Sequence, residues 1–267
     1  MTGKKIMALK IAVCVKSVVM AAPSSGPGPT LARDAENSDI NPFDRVALSL
    51  ALNLRDTLGG SVCALSMGPE PARFALAAAL AAGADRAVLL SDPKMAGSDT
   101  LATARVLAAG IRACGPFDLV LLGARSADSD SGQVGAQTAR LLALPFVSQA
   151  FSVEPDGEGL VVTRRADGFE EVFSTDLPVV LSVHPQAAKP RDLGLSGIAE
   201  AYDKGEIEVK SALDIGLDPA LIGLDGSPTR VFSMIRAGGK RKCEFLEGSN
   251  EAMAEELVAR WTSRGLV

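Results

Sequence analysis

Residues 123–135 read G-A-R-S-A-D-S-D-S-G-Q-V-G and stand between an apolar segment and a helical pattern. Small residues let backbone approach a ligand closely, and the first amides of a helix lack intrahelical acceptors. The N–H groups of Gly132, Gln133 and Val134, the hydroxyl of Ser131 and the positive end of the helix dipole suit an anion. Phosphate is the natural choice. Asp128 and Asp130 complicate this, because carboxylates repel phosphate. They either cap the turn or accept bonds from ribose hydroxyls. A capped surface loop without a ligand is the alternative.

A second cluster is Gly97-Ser98-Asp99-Thr100-Leu101-Ala102-Thr103. Thr100 and Thr103 are one helical turn apart and share a face, so they either contact a flat polar ligand or pack beside an N-cap. A third, Gly226-Ser227-Pro228-Thr229, is a turn unless a ligand reaches it. His184 is the single histidine, so a histidine-based metal site or catalytic triad has nothing to build on. A structural, hydrogen-bonded role suits it better. The four cysteines form no CxxC pair and read as reduced packing residues of a cytoplasmic protein. GxGxxG is absent after the first apolar segment, and so is GxxxxGK[ST]. This argues against a standard dinucleotide-binding dehydrogenase or a P-loop NTPase. No catalytic pair suggests hydrolysis.

These clusters need a scaffold. With 267 residues and 47% hydrophobic content the chain can bury a large core, and at 4% aromatic that core is aliphatic. A formal net charge of −5 without a basic cluster argues against nucleic acid, and no apolar run spans a bilayer. The pattern predicts strands over 10–16, 61–66, 86–90, 117–122 and 147–153. Helices are predicted over 42–57, 71–82, 98–114 and 132–144, with Asn41 and Ser98 as N-caps, Pro42 in the first helical position and Gly59-Gly60 as a stop. Such alternation means an open parallel sheet, helices on both faces, of Rossmann-like α/β class. A loop is expected at 21–30. Segments 160–165 and 170–175 flank Asp167-Gly168, a hairpin signal, and another strand follows over 177–183. From Lys189 the text reads as loop, including the solvated 240–242, until a last helix over 250–264.

The ordered set KIAVCVK (10–16), INPFD (40–44), LSMGP (65–69), LAAGADRAVLL (80–90), FDLVLLG (117–123), DSDSGQVG (128–135), VTRRADG (162–168), LPVVLSV (177–183) and KPR (189–191) resembles the beta subunit of electron transfer flavoproteins. The resemblance implies an adenine-nucleotide-hydrolase-like α/β fold over residues 1–200. It implies a partner, the alpha subunit, which holds an FAD, and docking to an acyl-CoA or other flavin dehydrogenase. It also implies bound AMP or, in the flavin-bifurcating branch, a second FAD fed by NADH. Carried over by position, Cys14 lies near the adenosine, and Asn41, Pro42, Phe43, Asp44 and Met67 line base and ribose. Ser131, Gly132, Gln133 and Val134 hold phosphate. Arg125 offsets charge on a flavin or pyrophosphate, or pairs with Asp128 or Asp130. The segments 91–103 and 223–231 are similar to the bifurcating branch, making Thr100, Thr103 and Ser227 flavin contacts. Leu195 falls at the partner-docking leucine, but the family's lysine run after it is missing.

Two other classes fit the same elements: a universal-stress-protein-like regulatory module, and an adenylating enzyme of PP-loop type, whose Ser-Gly-Gly loop is absent after residue 16. Residues 201–267 read as an arm that wraps the alpha subunit through Met253, Leu257 and Trp261.

Overall fold

The computed structural model describes residues 8–19, 38–203, 205–232 and 243–267. The loop expected at 21–30 and the basic stretch 240–242 lie outside them. The chain divides into two compact units, Met1–Phe232 and Ser233–Val267.

The first unit begins with β1 (Leu9–Cys14), β2 (Ser17–Val19), β3 (Ser38–Ile40) and α1 (Pro42–Leu58). It continues through β4 (Gly60–Met67), α2 (Arg73–Ala81), β5 (Arg86–Leu90), α3 (Thr100–Cys114), β6 (Leu119–Gly123) and α4 (Val134–Leu142). Then come β7 (Phe146–Asp156), β8 (Gly159–Ala166), β9 (Phe169–Asp176), β10 (Val179–Val183), α5 (Leu195–Asp203), β11 (Ile207–Lys210) and the single turn α6 (Gly223–Gly226). The second unit contains α7 (Asn250–Ser263).

The main sheet has nine strands in the order β11-β5-β4-β1-β6-β10-β7-β8-β9. From β11 to β7 all pairings are parallel, and β8 and β9 add antiparallel. Parallel strands covered on both faces need apolar residues at every position, and β1 meets that demand. Ile11 and Val13 join one apolar cluster with Val46, Leu50 and Leu54 of α1 and Leu76 of α2. Ala12 and Cys14 point the other way, into a cluster with Val106 and Leu107 of α3 and Ala139 of α4. The chain leaves β1 toward β4 and β5, then crosses back to place β6 on the other side of β1. The strand order therefore reverses between β1 and β6, and in an open sheet of this kind the crevice beyond those strand ends receives the ligand.

Most elements follow the sequence expectations. The α1 helix has Pro42 in its first turn, and Gly59 closes it at φ +81° with its amide on Arg55 O. Asp167 and Gly168 sit at φ +52° and +81° in the β8–β9 turn, the paired positive values a tight hairpin requires. Three expectations are corrected. The α3 cap is Asp99, whose side chain accepts the Ala102 amide at 2.9 Å, while Ser98 Oγ turns back to Met95 O. Asn41 precedes α1 without a side-chain cap bond. Residues after Lys189 are not all loop: α5 packs on α2, and β11 pairs along β5 from Ile207↔Ala87 to Lys210↔Leu90.

Residues 205–232, grouped with the arm in the sequence analysis, thus belong to the first unit. Ser227 Oγ accepts the Asp99 amide at 2.8 Å, the Thr229 hydroxyl donates to Asp99 Oδ2 at 2.7 Å, and Arg105 donates to Leu221 O and Gly226 O. In the second unit α7 is capped by Ser249 and leaves Leu257, Val258 and Trp261 exposed. Among the described residues no helix is long and apolar enough to cross a membrane.

Candidate functional site

At the reversal point the ends of β1 and β6 and the start of α1 are tied by one hydrogen-bonded network. Asp44, in the first turn of α1, is buried. Its Oδ2 accepts the Lys16 amide at 2.8 Å and its Oδ1 accepts the Gly123 amide at 3.0 Å. Burial pushes the Asp44 carboxyl up to about 7, against the bonds from Lys16, Asn41 and Gly123 that pull it down. Gly123 has to be glycine: a Cβ there would run into Asp44 Oδ1 and lie 2.7 Å from the Phe43 backbone carbon.

Asn41 is 1% exposed. Its Nδ2 donates to Arg125 O at 2.9 Å and its Oδ1 accepts the Ala127 amide at 3.2 Å, so it grips the loop after β6 from both sides. Its own amide donates to Lys16 O at 2.8 Å. From the other strand, Lys16 Nζ reaches Asp128 Oδ1 at 2.6 Å and the hydroxyls of Ser126 and Ser129 at 3.3 Å each.

Beyond this grip the loop turns into α4. Asp130 has φ +50° and Gly132 φ +64°, and Ser131, Gly132 and Gln133 are exposed. Among the described residues no acceptor meets the amides of Ser131, Gly132, Gln133 or Val134. Four amides facing solvent at a helix start, with a hydroxyl beside them, make an anion cradle. Arg125 pairs with Asp130 at 3.3 Å, not with Asp128, and its guanidinium lies 5.0 Å from the Phe43 ring centre. Two ion pairs, Lys16–Asp128 and Arg125–Asp130, thus flank the amides and the positive end of the helix dipole. This donor set fits a phosphoryl group.

The sheet brings the other site residues to the same edge. Cys14 ends β1, Met67 ends β4, and the α3 N-terminus follows β5. Cys14 is buried and its thiol is pushed far up by burial, then by Asp44, so it is a packing group. Asn41 and Asp44 spend their side chains on the protein, while Pro42 is exposed and Phe43 half-buried. Thr100 and Thr103 are half-buried in the first turn of α3. Ser227 is 7% exposed, and its hydroxyl donates to Gly223 O at 2.6 Å as well as accepting from Asp99. Leu195 lies apart, 87% exposed at the start of α5. His184 Nδ1 accepts the Gln186 amide at 3.2 Å, and burial and then Arg165 hold its pKa down. Sequence analysis missed Lys16, because the partners of its side chain lie more than a hundred residues away and no local pattern marks them.

Residues 29–214 match the electron transfer flavoprotein domain. The chain belongs to the electron transfer flavoprotein family. It is 38% identical over 238 residues to an electron transfer flavoprotein subunit beta of Thermoanaerobacterium thermosaccharolyticum, covering 89% of this chain and 91% of that one. A subunit beta from Clostridium acetobutylicum is 41% identical over 257 residues, 94% of this chain and 97% of its own. The caffeyl-CoA reductase–Etf complex subunit CarD of Acetobacterium woodii is 35% identical over 266 residues, 97% of this chain and all of its own length. The function of an electron transfer flavoprotein beta-type subunit, electron transfer in association with flavin or AMP, is thereby this chain's.

Proposed function

We propose that this electron transfer flavoprotein subunit holds the adenylate end of a nucleotide in the cradle at residues 131–134, and that the nucleotide is a second FAD. The run of amides without acceptors at the reversal of the sheet carries this reading. When bound, the flavin supplies the redox chemistry. The chain's own residues bind and orient. The amides of Ser131, Gly132, Gln133 and Val134 hold phosphate, the backbone of 41–44 with Phe43 and Met67 borders the adenosine, and Thr100 and Thr103 border the far end. Ser227, its hydroxyl engaged, acts by fixing the 223–229 segment against α3.

The second FAD is favoured over AMP by similarity to two proteins whose names place them in acyl-CoA reductase systems. These are CarD and the acryloyl-CoA reductase electron transfer subunit gamma of Anaerotignum propionicum, the latter 33% identical over 269 residues. On this reading the complex takes electron pairs from NADH in the cytoplasm and divides them between two acceptors, one reached through an acyl-CoA-type flavin dehydrogenase at Leu195. The alpha subunit, carrying its own FAD, covers the exposed apolar residues of α7.

Co-production with the alpha subunit of the same organism, followed by a count of released nucleotides, tests this. Two FAD per heterodimer are expected. One FAD with one AMP keeps the cradle and refutes the second flavin. A complex with no nucleotide beyond the alpha subunit's FAD refutes the cradle.

A further inference from the structure

The start of α3 has a distant segment of chain seated on it. Asp99 Oδ1 accepts the Ala102 amide at 2.9 Å, while Oδ2 accepts the Thr229 amide at 3.0 Å and the Thr229 hydroxyl at 2.7 Å. The Asp99 amide donates to Ser227 Oγ at 2.8 Å. One carboxylate thus caps the helix and also holds a turn 130 residues further along the chain. Around it, Ser98 Oγ accepts the Gly223 amide at 2.9 Å, and the Leu224 amide donates to Ala96 O at 3.0 Å. Arg105 adds its two bonds to Leu221 O and Gly226 O. Gly223 has to be glycine, with φ +65° and a Cβ that would run into Lys94 O.

This turn stands at the edge of the sheet where the nucleotide site lies. β5 leads into α3, β6 leads into the 131–134 cradle, and β4 and β1 lie between them. At about 4.8 Å per strand the ends of β5 and β6 are roughly 14 Å apart. With its phosphate in the cradle, AMP has only adenosine to extend from it. FAD carries a further phosphate, a ribityl chain and the flavin rings.

We propose that Asp99 is a positioning residue that gives this chain its preference for FAD over AMP: by seating the 223–229 turn on α3 it holds the first turn of that helix, with Thr100 and Thr103, ready for the flavin end. This rests on the second-FAD reading above. Ordering a loop and its side chains at the moment of binding subtracts from affinity. With Asp99 in place that ordering precedes the ligand, and only the longer ligand benefits. Asp99 acts through the turn and the helix, without having to touch the nucleotide.

The test uses the complex co-produced with the alpha subunit, native and with two substitutions that break the clamp from opposite sides. Asp99→Ser keeps a capping hydroxyl for α3 but is too short to hold Thr229. Thr229→Val leaves the cap intact and removes one bond to Asp99. Each complex is dialysed against mixtures of FAD and 5′-AMP of rising AMP content, and the bound nucleotides are counted. FAD beyond the alpha subunit's own equivalent reports the site in this chain. The readout is the AMP-to-FAD ratio at which half of that FAD is displaced, with the melting temperature recorded alongside. Asp99→Ser is expected to lower this ratio by about tenfold, within the ordinary range of coupling between linked sites. Thr229→Val is expected to lower it by less, and both variants should keep the site filled by one nucleotide or the other. An unchanged ratio in both variants overturns the proposal, whether or not the melting temperature falls. So does parallel loss of FAD and AMP, which would make Asp99 a prop for the whole site. If Asp99→Ser fails to fold, Thr229→Val decides alone. A native complex that holds AMP in place of the second FAD refutes the second-flavin reading, and the proposal with it.

Discussion

Replacing Asp44 by Asn keeps the side chain's shape and removes its charge. In the native chain burial holds this carboxyl at about 7, above its ordinary value of 3.8. A folded value above the unfolded one means that the proton favours the folded state. That stabilisation is full below the unfolded value and is lost as pH rises through about 7. At about 1.4 kcal/mol per unit, the loss between about pH 5 and about pH 8 comes to roughly 2–3 kcal/mol. For a domain of this size that is roughly 4–12 °C in Tm. Asn cannot titrate, but its Nδ2 would face one of the two amides, of Lys16 or Gly123, that now donate to the carboxylate. One unmade bond there costs about 1–3 kcal/mol. Asp44→Asn is therefore expected to melt well below the native protein near pH 5 and to close most of the gap near pH 8. Thermal melts of both nucleotide-stripped proteins across this range measure the gap directly. A gap that is constant, or that widens with pH, refutes the reasoning, because the two amides would then outweigh burial and hold Asp44 ionised.

Gly123→Ala forces a methyl against Phe43 backbone and the Asp44 carboxylate, neither of which can swing away. Stability should fall by about 1–3 kcal/mol, and a native-like Tm would refute the tight crossing of β6 and α1. Asn41→Ala strips both bonds to the 125–127 loop from a residue 1% exposed. A loss of about 2–3 kcal/mol is expected, together with weaker AMP or FAD retention by equilibrium dialysis. At Gly132, φ +64° with only Ala124 O near a new Cβ, alanine should cost about 1–3 kcal/mol of stability from backbone strain while lowering nucleotide affinity in the same assay. Thiol labelling at about pH 8 should modify exposed Cys243 first. Cys63, pushed up to about 12 by burial, and Cys14 should react only in denaturant; quick labelling of either would contradict their burial.

What the sequence discloses depends on how local the cause is. The β8–β9 hairpin is legible because Asp167-Gly168 is one of few pairs that tolerate two positive φ values. The ends of α1 are legible for the same kind of reason, a proline that fits the first turn and a glycine that fits beyond the last. By contrast β11 is four residues, Ile-Glu-Val-Lys, only half-buried, too short for its alternation to stand out. Its strand character comes from pairing with β5. The cradle amides are written in the small residues of 131–135, but the grip behind them is not. Asn41 looks like a helix cap by type and position, and only the fold reveals that its amide group is spent on residues 125 and 127.

The position of β11 carries a consequence for biosynthesis. A ribosome delivers β5 long before the stretch at 207–210 that completes its outer flank. During that interval Arg-Ala-Val-Leu-Leu presents bare amides and carbonyls to solvent, an invitation to intermolecular pairing. Nascent chains stalled or terminated before residue 207 should accordingly clump or recruit chaperones, and translation past that point should release them.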